Sequence, residues 1–293
     1  MTKKRRIILG ISALFLLVAL IIGVLTLRSI EECKTQLTVT SYTLETDLSE
    51  PIRILQLTDL HSHVFGTDND TLIATVLEQQ PDLIVMTGDM LDQSDENPDV
   101  ICSLIRELSR EIPVWYGYGN HETAWIERTG TDLAPILTQA GAAVINCEYR
   151  DIIINGQLLR IGGYHGYYRQ PGMYPVTAVQ KQYELDFADV FEDTHRFKLL
   201  LCHIPTAWLD WEYINDYPVD LVLCGHNHGG QIRLPLLGPL YAPYVGLFPD
   251  YTEGLFLGQE AACVLSRGLG SSPGMPRINN LPEITVIDLI PKT

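Results

Sequence analysis

The sequence predicts an α/β domain whose first half pairs its strands largely in parallel, tethered by one N-terminal membrane helix. Three observations predict it. Residues Ile7 to Leu27 form an uncharged apolar run, strand-like runs alternate with amphipathic helical patterns up to Gly141, and the remainder is strand-rich with loops full of Pro and Gly.

The apolar run is 21 residues long, and about 20 suffice to cross the hydrocarbon core as a helix. A cleaved signal carries only about 7–15 such residues. No small-x-small site comes after it either, since the chain continues LRSIEECK. The run therefore reads as a retained, single-pass cell-membrane anchor. Lys3, Lys4, Arg5 and Arg6 precede it while Arg28, Glu31 and Glu32 come after, so the bulk of the chain is expected on the extracytoplasmic side. The expected organisation is a basic stub and anchor (1–28), a connector entering a first strand, QLTVTSYTLET (29–50), and one domain (51–293).

Within that domain the strand candidates are IRILQLT, DLIVMT, VWYGY, LLRIGGY, KLLLCHI, DLVLCGH, ACVLS and ITVIDLI. Between the first two, TLIATVLEQQ sets Leu72, Ile73, Val76 and Leu77 on one helical face, with Asp70 placed as N-cap. DVICSLIRELSRE repeats the pattern with Val100, Ile101, Leu104, Ile105 and Leu108, and TDLAPILTQAG ends at Gly141, a natural helix stop. The second half suggests further antiparallel strands. There is no internal repeat and no low-complexity segment.

Formal net charge is −16, and five of the 20 basic residues precede position 29. The rest of the chain has 15 basic against 36 acidic residues, a net of −21. Such a surface repels nucleic-acid backbones, which excludes a general nucleic-acid-binding role. The six cysteines include no CxxC pair, and Cys202 and Cys224, in apolar runs, read as buried free thiols.

The residues at the carboxyl end of each strand carry the chemistry. IRILQLT leads to Asp59-Leu60-His61, DLIVMT to Gly88-Asp89, VWYGY to Gly119-Asn120-His121-Glu122, KLLL to Cys202-His203, and DLVLC to Gly225-His226-Asn227-His228. Taken singly, each has a plain structural explanation: a capping aspartate, a turn, a loop histidine. Five strands delivering Asp, His and Asn at their carboxyl ends, where ligands of α/β sheets collect, form a pattern. Mixed carboxylate and imidazole donors suit divalent Mn, Fe, Zn or Co rather than Ca, and there are enough for two ions. In an extended strand end residues i and i+2 point the same way, so Asp59 and His61 can grip one ion while His226 and His228 point at two neighbouring ones. The flanking glycines let the backbone turn and keep bulk out.

The ordered set DLH, GD, GNHE, a lone His after a strand, and GHNH resembles the calcineurin-like metallophosphoesterases over about residues 50–290. GGQIRLP, LSRGLG and LPEI resemble its bacterial membrane-anchored branch, the YaeI/YkuE type. The resemblance implies a four-layer αββα sandwich of two mixed β-sheets flanked by helices. It implies that Asp59, His61 and His228 hold one metal, that Asn120, His203 and His226 hold the second, and that Asp89 bridges them. His121 would face the substrate, stabilising the phosphate or protonating the leaving oxygen, with Glu122 orienting it by hydrogen bond.

The activity so implied is hydrolysis of a phosphodiester or pyrophosphate by a metal-bridged hydroxide, the tether pointing to envelope or lipid-linked substrates. The rivals are a catalytically silent metal-binding scaffold of the same fold, disfavoured because all seven ligands are present, and a cytoplasm-facing enzyme cleaving a nucleotide-lipid. Many relatives carry an aspartate after the strand equivalent to LLRIGGY, where this chain has Tyr164, His165 and Gly166. His165 reads as a pocket or exposed loop residue, and Tyr167, Tyr168 and Arg169 as a loop packing on a helix. His195 reads as surface, and GLGSSPG (268–274) as a loop near the metals rather than a nucleotide loop, because Pro273 and Pro276 forbid the helix start.

Overall fold

The computed structural model describes residues 3–170, 173, 178–242, 245–271 and 274–292; Ser272 and Pro273 of the glycine-rich loop lie outside them. Helix α1 (Lys3–Thr35) is followed by β1 (Thr38–Thr46) and β2 (Ile52–Leu57), then α2 (Asp70–Glu78), β3 (Leu83–Thr87), α3 (Asp99–Leu108), β4 (Val114–Gly117), α4 (Asn120–Thr129), α5 (Leu133–Ala140) and β5 (Ala142–Ile145). The second half runs β6 (Glu148–Ile154), β7 (Gln157–Tyr164), α6 (Ala178–Glu192), β8 (Phe197–Cys202), α7 (Thr206–Leu209) and β9 (Leu221–Cys224). Four two-residue strands come next, β10 (Arg233–Leu234), β11 (Gly238–Pro239), β12 (Tyr241–Ala242) and β13 (Gly246–Leu247). The chain closes with β14 (Gly254–Leu257), β15 (Ala262–Leu265) and β16 (Glu283–Pro291).

Two six-stranded mixed sheets result, ordered β1-β16-β2-β3-β4-β5 and β14-β15-β9-β8-β7-β6. In the first, β2 to β5 are parallel and β16 runs against β2. In the second, the parallel run extends through β15, β9, β8 and β7, and antiparallel pairing is confined to the edge strands β14 and β6. The second half is more parallel than its sequence suggests, because helices such as α6 supply the crossovers that parallel neighbours need.

The sheets pack face to face through Ile54, Val85, Leu159, Leu199, Leu223 and Val264. Helices α2, α3, α4 and α5 cover the outer face of the first sheet through Val76, Ile101, Ile105, Trp125 and Leu137. Phe187 and Phe191 of α6 and Trp208 of α7 cover the second. This is the four-layer αββα sandwich.

Local details depart from or sharpen the expectations. Asp132 caps α5 by accepting from Ala134 N, and Gly141 ends it in the left-handed region at φ 117°. Asp70 is not the N-cap of α2 but its first residue: Asn69 (φ 64°) precedes the helix, and Asp70 Oδ1 instead accepts from Thr67 N. Helix α1 runs past the expected anchor to Thr35, and Leu9–Thr35 is long and apolar enough to cross a membrane. All six cysteines are free and buried.

Candidate metal centre

The five strand ends converge on one buried cluster. Asp59, His61 and His228 bring one donor atom each within 4.8 Å of one another, and so do Asp89, His203 and His226. Asp89 stands between the groups, its Oδ2 3.1 Å from His203 Nε2 and 4.0 Å from His61 Nε2. The extended geometry expected after the strands is not what aims these side chains. Asp59 (φ 53°), His61 (φ 47°), Asp89 (φ 50°), His226 (φ 72°) and His228 (φ 48°) all adopt left-handed backbone. Each such conformation costs a non-glycine residue about 1–3 kcal/mol, a strain that gathers at functional sites.

Neighbouring loops hold that backbone in place. The Asp59 loop zips onto the Asp89 loop through Asp59 N to Gly88 O, His61 N to Asp89 O and Ser62 N to Met90 O. The next loop closes over them, His226 N donating to both carboxylate oxygens of Asp59. Gly225 is required by space, since a Cβ there would come within 2.3 Å of Asp59 Oδ2.

The donor spacing fits cations. A metal about 2.0–2.1 Å from two imidazole nitrogens, at angles of about 90–110°, sets them about 2.9–3.4 Å apart. His61 Nε2 and His228 Nε2 are 3.3 Å apart, as are His226 Nδ1 and His203 Nε2. His203 Nδ1 donates to Thr87 O at 2.8 Å, which leaves Nε2 as the free donor. Asn120 begins α4 directly after Gly119, where a Cβ would touch Asp89 Oδ1, and its own buried Oδ1 accepts no hydrogen bond. That oxygen suits a cation.

The buried carboxylates and neighbouring imidazoles set the proton affinities in the cluster. Burial opposes the His203 imidazolium, yet Asp89, Asp59 and the Thr87 carbonyl raise it to about 10. His61 also rises, Asp92, Asp89 and Asp59 overcoming its burial. Burial and the adjacent His203 lower His226 to about 3, while burial, His61 and Arg277 hold His228 well below its ordinary value. Burial pushes Asp59 up, whereas at Asp89 it is overridden by His203, which keeps that carboxyl ionised.

His121 sits at the rim with Nε2 3.9 Å from Asp89 Oδ2. Its Nδ1 accepts from Gln93 N at 3.1 Å, so in the neutral ring Nε2 carries the proton and faces the centre. Glu122 does not orient His121. Its Oε2 accepts from Asp89 N and Gly119 N, and its Oε1 from Met90 N, Leu91 N and Tyr116 OH. As the third helical residue of α4, it is directed back at the strand ends and fixes the Asp89 loop.

Two participants carry no signal in the strand-end pattern. Asp92 lies 3.5 Å from His121 Nδ1 and 3.7 Å from His61 Nδ1, three residues beyond Asp89 in GDMLD. Arg277, 1 % exposed, reaches His228 O and His228 Nδ1 from the far end of the glycine-rich loop. Two other histidines lie elsewhere. His165 is half-buried against Asn146 and Cys147, and His195 is exposed. Tyr168 and Arg169 bind Glu192 of α6, the helix-packing role expected of that loop.

Comparison with known proteins identifies the family. Residues 52–230 match the family described as calcineurin-like phosphoesterase. YkuE of Bacillus subtilis (strain 168), an uncharacterized metallophosphoesterase, is 32% identical over 243 residues, covering 81% of this chain and 78% of its own. Phosphodiesterase YaeI of Escherichia coli (strain K12) is 29% identical over 257 residues, covering 83% of this chain and 84% of its own. The crystal structure of a 5'-nucleotidase precursor from Thermus thermophilus superposes with TM-score 0.50 at 13% identity, over 82% of this chain and 54% of that one. The chain thus spans about half of that structure, and the likeness shows the fold. The chain belongs to the calcineurin-like phosphoesterase family, and within it is of the YaeI/YkuE type.

Proposed function

We propose that this chain is a metal-dependent hydrolase of phosphodiester or pyrophosphate bonds, anchored by α1 and acting on envelope or lipid-linked substrates on the extracytoplasmic side. The observation that carries the chemistry is the pair of neighbouring donor groups, with Asp89 in one facing His61 of the other and nitrogens at cation spacing in each. Asp59, His61 and His228 would hold one ion, Asn120, His203 and His226 the other, and Asp89 both; Mn, Fe, Zn and Co suit these donors. When bound, such ions polarise phosphoryl oxygens and make water acidic near neutral pH.

The chain's own groups do the rest. Thr87 fixes the ring of His203, Arg277 holds the His228 carbonyl, and Glu122 holds the Asp89 backbone. His121 presents Nε2–H to the phosphate or the departing oxygen. Hydrolysis joins a water oxygen to phosphorus, breaks the ester P–O bond and gives the leaving oxygen a proton, which His121 would supply as the imidazolium, its Nδ1–H turned to the Asp92 carboxylate 3.5 Å away.

The test uses the full chain in detergent, stripped with chelator and reloaded with Mn, Zn, Fe, Co or Mg. Hydrolysis of bis(p-nitrophenyl) phosphate and p-nitrophenyl phosphate is then measured. Restored turnover with a preference for the diester is expected. Full turnover without metal defeats the reading.

A further inference from the structure

A cavity of about 520 Å³ meets the candidate metal centre at His61, and its other wall is the end of the membrane helix. Ile30, Cys33 and Lys34 of α1 face His61, Leu269 and Arg277 across it. A larger cavity of about 710 Å³ lies at the amino ends of β8 and β9 and shares no residue with the metal centre.

Specific bonds hold the helix end in that position. His63 Nε2 donates to Lys34 O at 2.8 Å, Asn279 N donates to Ser29 Oγ at 2.7 Å, and Ser29 and Cys33 are buried. Charge is equally selective. The chain carries −16 overall, yet none of the described residues lining this cavity is Asp or Glu, while Lys34 and Arg277 are cationic. An anion is favoured there, beside apolar side chains.

Depth completes the argument. At about 1.5 Å per residue, Ile30 and Lys34 lie about 5–10 Å beyond Leu27, where the apolar run ends. That is the headgroup zone, about 5–8 Å thick on each side. Leu236 and Leu237 are exposed at the turn of the β10–β11 hairpin. That hairpin is tied to the helix through Asn279, which bonds both Ser29 and the carbonyl of Arg233. Exposed apolar side chains next to an anchor belong at an interface with lipid.

We infer that this cavity, built jointly by the anchor helix and the metal centre, seats an amphiphilic phosphoester, its phosphate at His61 and its apolar tail along α1 toward the bilayer. The inference rests on the phosphoesterase reading and deepens it. The anchor then does more than tether: its end is part of the substrate site.

The test places the Mn(II)-loaded full chain in phosphatidylcholine nanodiscs. Two diesters are supplied, water-soluble bis(p-nitrophenyl) phosphate and membrane-partitioning hexadecyl p-nitrophenyl phosphate. Ile30→Trp narrows the cavity and Lys34→Glu puts a carboxylate in it. Both should lower the ratio of kcat/KM for the amphiphile over the soluble diester by about tenfold or more, through KM. A ratio within about twofold of the parent in both variants overturns the inference. As a readout without turnover, an alkyl phosphonate with a diazirine in its tail should label the peptide of residues 29–35, and labelling only elsewhere counts against it. Should the loaded parent hydrolyse neither diester, the phosphoesterase reading fails, and the photolabel still decides whether the cavity binds.

Discussion

Replacing Glu122 separates two roles that the same residue could play. The side chain is fully buried, and its two oxygens accept from Asp89 N (2.8 Å), Gly119 N (2.7 Å), Met90 N (2.9 Å) and Tyr116 OH (2.7 Å). Glu122→Gln keeps the shape but turns one acceptor into a donor. With the amide nitrogen at the Oε2 position, Asp89 N and Gly119 N both lose their acceptor. At the Oε1 position Tyr116 can rotate to accept, but Met90 N and the longer contact from Leu91 N (3.4 Å) cannot. One or two buried amides are orphaned either way, at about 1–3 kcal/mol each.

The metal-stripped full chain in detergent should therefore melt several degrees lower, since about 1 kcal/mol shifts a domain of this size by about 2–4 °C. Stripping matters because bound metal would mask part of the loss by mass action. Metal affinity should fall as well, because the disturbed amide belongs to Asp89. Had Glu122 merely steered His121, turnover would drop with stability intact. A Gln variant melting within about 1 °C of the parent refutes the assignment.

The same geometry has other consequences. Asp89→Asn should cut metal-restored diester hydrolysis by about a hundredfold or more, with the far-UV spectrum unchanged, and retained turnover would contradict the shared-ligand role. Metal binding at pH 7.5 should expel about one proton, from His203, read as a dependence of calorimetric heat on buffer ionisation enthalpy. The sign for the metal-free chain comes from His203, raised from 6.5 to about 10. Its stabilisation is fully present below pH 6.5 and is lost as pH rises through 10, so the melting temperature should fall across that window. Gly268→Ala should weaken metal binding, because the residue sits at φ 71° and a Cβ would come within 2.6 Å of Asp59 Cβ; unchanged affinity would show that the loop yields freely.

The sequence made the strand ends legible because each pairs an apolar run with a polar residue that a buried strand end would not otherwise carry. Leu83–Thr87 is buried throughout, and Asp89 comes directly after Gly88. Less was legible where function lies in reach rather than composition. Glu122 is one residue from His121, and only the helical start of α4 shows that it turns back to the Asp89 loop. Asp92 and Arg277 act through loops whose paths no periodicity encodes. Strand β6 escaped notice because, as an edge strand, it alternates exposed and half-buried residues with no continuous buried run.

The site also owes its form to the seam between the sheets. Strands β2, β3 and β4 of one sheet bring Asp59, Asp89 and Asn120, while β8 and β9 of the other bring His203, His226 and His228. The sheets are joined beside the centre by polar bonds: Gln56 Nε2 donates to Cys224 O at 2.9 Å, His203 Nδ1 to Thr87 O, and His226 N to Asp59. A buried amide or imidazole in these places would cost stability unless paired, so each bond fixes the relative position of the sheets as well as a ligand. Neither sheet alone carries all the donors proposed for either ion. The donor cluster is therefore a product of sheet packing, and residues that align the seam, Gln56 foremost, would control metal geometry without touching the metal.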